Sequence, residues 1–186
     1  MTKSYELHIE GLLRQLPLCK VNDSLYIGAF VMFGDVELTV ACAKGLLNIA
    51  PDFDVLITAE AKGIPLAYEM ARQAGINNYI VARKVPKLYM RDVFAAEVNS
   101  ITTERQQTLY LDKEEAEEIA GRRVLIVDDV ISTGESLHAV EQLVSKAGGN
   151  IAGKMAALAE GDAASRSDIL FLEKLPLFRP DGSIIE

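Results

Sequence analysis

The chain has 186 residues, with 27 acidic against 19 basic side chains, a formal net charge of −8 at pH 7, 49% hydrophobic and 25% charged residues. That is enough for one domain with a sizeable core, and the composition excludes a disordered chain. An acidic surface gains nothing from a nucleic-acid backbone, so no nucleic-acid partner is expected, and no apolar run approaches the ~20 residues of a membrane helix.

In chain order, MTKSYELHIEGLLRQ lacks the apolar stretch of a secretory leader, so no membrane association is expected and a cytoplasmic protein is. Cys19 and Cys42 lie in apolar surroundings, LPLCKV and TVACAKG, and read as buried free thiols in a reducing compartment. With His8 and His138 as the histidines, no Cys/His cluster has zinc spacing. Leu25 to Phe33, LYIGAFVMF, reads as a strand stopped at Gly34-Asp35. Asp35 then caps a helix through Leu38, Val40, Ala41, Leu46 and Leu47, ending near Pro51. Val55 to Thr58 is wholly apolar until its last residue, as a buried parallel strand should be. A helix follows from about Pro65 to Ala74, with Gly75 behind it, then a strand from Asn78 to Ala82.

Lys84 to Ser100 mixes Pro86, charges and aromatics without a period and reads as a functional loop. Val98 to Ile101 and Thr108 to Leu111 can pair as strands around a polar turn. Arg123 to Val127 is a strand, Glu135 to Ala147 a helix ending at Gly148-Gly149, and Ile151 to Leu158 a strand. PLFRPDG reads as a surface tail. Strands alternating with helices predict a single α/β domain over 1–186, built on a parallel sheet.

The chemistry gathers in VLIVDDVISTGES, Val124 to Ser136. Asp128 and Asp129 stand at the carboxyl end of a buried strand, where open parallel sheets bind ligands. Val130 and Ile131 lead into Ser132, Thr133, Gly134, Glu135 and Ser136, a turn opening a helix whose free N–H groups suit a phosphate. Carboxylates would repel that phosphate but accept hydrogen bonds from sugar hydroxyls, or meet a magnesium ion. The stretch therefore reads as a site for a sugar 5-phosphate. A response-regulator receiver also begins VLIVDD, but it needs about 100 further residues or more after these acids, and here only 130–186 follow. A Walker A loop is excluded, because no Gly-Lys-Ser/Thr follows the glycine.

VLIVDDVISTGES closely resembles the phosphoribosyl-diphosphate (PRPP) signature of the type I phosphoribosyltransferases. TAEAKGIPLAYEMA (Thr58 to Ala71) is similar to the diphosphate-binding segment of the purine branch, where adenine phosphoribosyltransferases carry Glu-Ala-Arg-Gly. VARKVPK (Val81 to Lys87) resembles the basic segment before their flexible loop. AEVNSITTERQQTLYLD also resembles the loop of xanthine phosphoribosyltransferases and of the purine-operon repressor. The resemblance implies a Rossmann-like core over about 51–175, a small N-terminal hood mainly over 1–50, and a flexible loop.

It further implies transfer of a phosphoribosyl group from PRPP to a purine base, giving a nucleoside monophosphate and diphosphate, with Mg²⁺ bridging diphosphate and ribose oxygens and a homodimer as the assembly. Asp128 and Asp129 would meet the ribose hydroxyls, and 130–136 the 5-phosphate. Glu60, Ala61, Lys62, Gly63, Arg83, Lys84 and Lys87 would surround the diphosphate, on a segment that in the family can hold a non-proline cis peptide. The loop Lys87 to Gln107 would close over the ribose, with Glu104 the candidate for the purine proton. Phe30, Met32 and Phe33 would stack on the base. Glu160 takes the place of a lysine in xanthine enzymes; a carboxylate accepts from an amino group and not from a carbonyl, which points to adenine. Xanthine, hypoxanthine or guanine transfer, and a non-catalytic PRPP-sensing regulator, are the alternatives. A regulator of that kind adds a DNA-binding module, for which about 50 residues before the core leave little room.

Overall fold

A computed structural model describes residues 3–90, 92–98 and 107–185. The chain opens with β1 (Ser4–Ile9) and β2 (Leu12–Lys20), an antiparallel hairpin that the sequence reading did not assign. Glu10 and Gly11 between them both have positive φ, 49° and 77°, the backbone that a two-residue turn needs to match strand twist. The strand expected over Leu25 to Phe33 pairs only as β3 (Tyr26–Gly28). The chain then bends, but side chains still alternate: Phe30 and Met32 enter the core while Val31 and Phe33 stay exposed.

Helix α1 (Val36–Ile49) starts where predicted, with the Leu38 N–H donating to the Asp35 carboxylate at 3.0 Å. Asp35 also takes the Arg14 guanidinium at 2.6 and 3.0 Å, which ties the hairpin to the helix. β4 (Val55–Ala59), α2 (Ile64–Ala74) and β5 (Ile80–Ala82) follow as expected, and Gly75 ends α2 at φ 71°. β6 (Phe94–Val98) pairs with β7 (Gln107–Leu111), so the first strand of this hairpin begins ahead of the predicted Val98. α3 (Lys113–Ile119) was not anticipated, although Asp112 and Glu115 form a capping box in front of it. β8 (Arg123–Ile131) runs four residues past the expected Val127, so that Asp128 and Asp129 lie within it, while α4 (Glu135–Lys146) and β9 (Asn150–Glu160) match their expected positions. A 3₁₀ turn over Gly161–Ser165 leads to β10 (Leu170–Leu175), β11 (Leu177–Phe178) and β12 (Ile184–Ile185).

Two sheets result. The core sheet has the order β10-β9-β8-β4-β5 and is parallel throughout. Alternate residues of its strands feed two cores. Leu56, Leu125 and Val127 pack with Leu46 of α1 and Leu66 and Met70 of α2, while Ile57, Val124 and Ile126 pack with Leu137, Val140 and Val144 of α4. From β4 the chain moves outward to β5, then returns to lay β8 on the other side of β4. That reversal opens a crevice at the carboxyl ends of β4 and β8.

The second sheet is the hood, with the order β1-β2-β3-β11-β12. It corrects two expectations. The C-terminal segment is no surface tail: Phe178 is fully buried, its ring centroid 5.1 Å from that of Tyr5. Cys42 is a buried free thiol but Cys19 is exposed, since alternation on β2 turns Leu18 inward and Cys19 outward. Among the described residues, no helix is long and apolar enough to cross a membrane.

Candidate active site

The crevice is walled on one side by the acid pair. The Asp129 N–H donates to Oδ1 of Asp128 at 2.9 Å. Asp129 is 4% exposed, and its Oδ2, like the Oγ1 of Thr58 at the end of β4, is buried with no protein partner. A buried acceptor without a donor is costly, so these two atoms suit a hydroxyl-bearing ligand. Burial pushes both carboxyls above the usual range, and at Asp128 the charge of Asp129 adds to the rise. The Lys62 ammonium opposes it at both.

Lys62 belongs to the connection from β4 to α2, in which the Glu60–Ala61 peptide is cis. Gly63 presses this connection against the acids. A Cβ there would collide with Thr58 Oγ1 and lie 3.1 Å from Asp128 Oδ1, so glycine is required by the close approach. Thr58 carried no role in the sequence reading; its place as the last polar residue of an otherwise apolar strand was the available signal.

Glu60 turns away from the crevice floor and gathers the basic segment after β5. Its carboxylate accepts the Lys84 N–H at 3.1 Å and stands 3.4 Å from Lys87 Nζ and 3.7 Å from Arg83 Nη1. These contacts, the Lys84 N–H foremost, hold its carboxyl below the usual range. Glu60 thus holds Arg83 and Lys87 around one carboxylate. The Arg83 backbone is fixed in turn by two hydrogen bonds with Tyr110 of β7, at 2.9 and 2.8 Å.

Beyond the acids, Asp128 and residues 130–137 surround a hollow of about 120 Å³. Ile131 and Leu137 are buried beneath it; Ser132 and Thr133 are exposed at its rim. Gly134 is the N-cap of α4 at φ 82°, and no side chain caps the helix there. The Glu135 N–H reaches Thr133 Oγ1 at 3.5 Å, and a helix start whose N-cap carries no side chain suits an anion.

Glu160 ends β9, half-buried, and burial raises its carboxyl while Lys62 again opposes the rise. Phe30 and Met32 are 3% and 2% exposed and pack in the α1/α2 core, whereas Phe33 is 53% exposed. The three do not form one stacking wall, which corrects that expectation: strand-like alternation sends them in opposite directions. Glu104 lies outside the described residues. Among the described residues, no three His, Cys, Asp or Glu side chains converge on a metal position.

A profile of the phosphoribosyl transferase domain matches residues 41–174. The chain belongs to the phosphoribosyltransferase family. Adenine phosphoribosyltransferase of Salinispora tropica is 36% identical over 103 residues, 54% of this chain and 50% of that one. Hypoxanthine/guanine phosphoribosyltransferase of Methanococcus voltae is 36% identical over 135 residues, 73% of this chain and 68% of that one. The chain spans about half the length of the first of these curated relatives. The crystal structure of adenine phosphoribosyltransferase from Thermoanaerobacter pseudethanolicus shares the fold, with a TM-score of 0.64 at 22% identity, covering 77% of this chain and 84% of that one. The span matched to the phosphoribosyltransferase domain contains the core sheet up to Lys174 of β10, the acid pair and the turn over 132–136. It leaves out both parts of the hood sheet, 4–28 and 177–185.

Proposed function

We propose that this protein transfers the 5-phosphoribosyl group of PRPP to a purine base, adenine foremost, releasing diphosphate and forming the nucleoside monophosphate. The observation that carries the reading is two buried, partnerless oxygens, Asp129 Oδ2 and Thr58 Oγ1, toward the carboxyl ends of β8 and β4, with the uncapped start of α4 following the one and the connection bearing Lys62 following the other. A ribose laid across this crevice would give hydroxyls to the acids and its 5-phosphate to 132–136. Its diphosphate would lie toward Ala61, Lys62 and Gly63, with Arg83, Lys84 and Lys87 beyond. The bond from ribose C1 to the diphosphate oxygen breaks, a bond from C1 to a purine nitrogen forms, and that nitrogen loses its proton, for which Glu104 is the candidate acceptor. Carboxylates beneath the ring stabilise the positive charge developing at C1, and cations stabilise the departing diphosphate.

Mg²⁺ fits a site without a protein cage. It takes oxygen ligands and keeps several waters, so diphosphate and ribose would hold it, with Asp128 and Asp129 alongside, and it would neutralise charge on the leaving group. The loop expected to close over the ribose, Lys87 to Gln107, includes 91 and 99–106, which lie outside the described residues. Glu160 supports adenine as an acceptor for the amino group. The Methanococcus relative, which the chain covers over 68% of its length, favours a second reading with hypoxanthine or guanine.

The test is diphosphate release from PRPP and Mg²⁺ with adenine, hypoxanthine, guanine and xanthine, for the wild type and Glu160→Lys. Adenine should be used best, and the variant should lose adenine preferentially. Better use of an oxopurine by the wild type would move the protein to the second reading. Tight PRPP binding without turnover of any base would make it a PRPP-sensing regulator.

A further inference from the structure

A guanidinium from a different part of the fold reaches the phosphate-facing turn. Arg166 follows the 3₁₀ turn after β9 and donates through Nε and Nη2 to the two carboxylate oxygens of Asp168, at 2.9 and 2.7 Å. This two-pronged grip fixes the guanidinium plane and leaves Nη1 at its other corner. Nη1 lies where a side chain on Gly134 would begin: a Cβ built there would be 2.6 Å from it. Gly134 thus serves two needs at once, the positive φ and the space for a cation.

The grip is itself braced. Lys154 of β9 holds the same Asp168 at 2.5 Å and Glu141 of α4 at 2.7 Å. Glu141, Lys154, Asp168 and Arg166 form a chain of alternating charge from the outer face of α4 to the lip of the hollow. The hollow needs such a group. Asp128 and Glu135 line it, in a protein of net charge −8, and both disfavour a phosphate dianion.

We infer that Arg166 completes the cradle, its Nη1 donating to the phosphate of a sugar 5-phosphate, with Asp168, Lys154 and Glu141 as positioning residues. The inference rests on the reading that 132–136 takes the 5-phosphate. No motif marks Arg166 in the sequence, because its partner turn is some 30 residues earlier and on another element.

Calorimetric titration of the full chain with ribose 5-phosphate, ribose and diphosphate tests it. Arg166→Gln should weaken ribose 5-phosphate about tenfold or more, the range of a charge-assisted hydrogen bond, and leave diphosphate unchanged. Arg166→Lys should recover part of the loss, and Asp168→Asn should show a smaller loss of the same selectivity. In turnover, the KM for PRPP should rise more than kcat falls. If Arg166→Gln does not fold, Arg166→Met keeps the aliphatic stem and carries the same expectation. Unchanged ribose 5-phosphate affinity, or an equal loss for diphosphate, overturns the role of Arg166 while leaving the transferase reading intact. A wild type that binds neither ribose 5-phosphate nor PRPP overturns both.

Discussion

At the scale of single residues, Asp128 and Asp129 work against the fold that holds them. A carboxyl raised above its unfolded value of about 3.9 makes the folded state bind more protons than the unfolded one, so stability falls as pH climbs from about 4 through the raised range. Above that range the folded protein holds two neighbouring negative charges with little solvent. Asp128→Asn keeps the oxygen that accepts the Asp129 N–H and removes one charge. It should raise stability at pH 8 by on the order of 1 kcal/mol, with the gain shrinking toward pH 4, while turnover drops on the order of 10²-fold. Thermal melts at the two pH values, beside diphosphate-release rates, check both halves; a variant that melts lower at pH 8 would contradict the strained-pair account. The acids were legible in the sequence because they and the turn over 132–136 are contiguous. Thr58 and Arg166 were not, because they reach the same crevice from β4 and from the loop after β9, and a linear pattern does not show convergence.

At the scale of elements, legibility followed the locality of the cause. α1, α2, α4, β4, β8 and β9 each carry their signal within themselves: an apolar period, Asp35 or Gly75 at a boundary, an unbroken apolar run. The hood strands do not. β3 is three residues long and β11 two, and each is a strand through its neighbours, β3 between β2 and β11, and β11 between β3 and β12. Residues 177–178 therefore looked like a tail. Their burial makes a sharp expectation: Phe178→Ala should cost about 3–5 kcal/mol, visible as a lower denaturation midpoint. A loss below about 1 kcal/mol would mean that the hood sheet holds without this strand. The β6–β7 hairpin is anchored differently, by Lys146 at the end of α4, which donates to the Ala95 carbonyl and lies 5.4 Å from the centre of the Phe94 ring.

At the scale of the whole molecule, the described residues include an apolar groove at the start of α2. Met32, Val36, Val40, Ile64, Pro65 and Tyr68 border a groove of about 330 Å³ between α1 and α2, with Val36 74% and Tyr68 55% exposed. The homodimer implied by the family resemblance would cover such a face. Tyr68→Glu should then shift the sedimentation coefficient from dimer to monomer; an unchanged dimer would place the interface elsewhere. The hood has a consequence of another kind, in time. Its sheet takes β1, β2 and β3 from one end of the chain and β11 and β12 from the other, while the core sheet and the acid pair are complete by β10. On a ribosome, synthesis runs from the N-terminal end, and segments pack once their partners have emerged. A nascent chain can therefore assemble the acid-lined side of its crevice while its hairpin and β3 still wait, with one edge of β3 unpaired, for β11 to emerge.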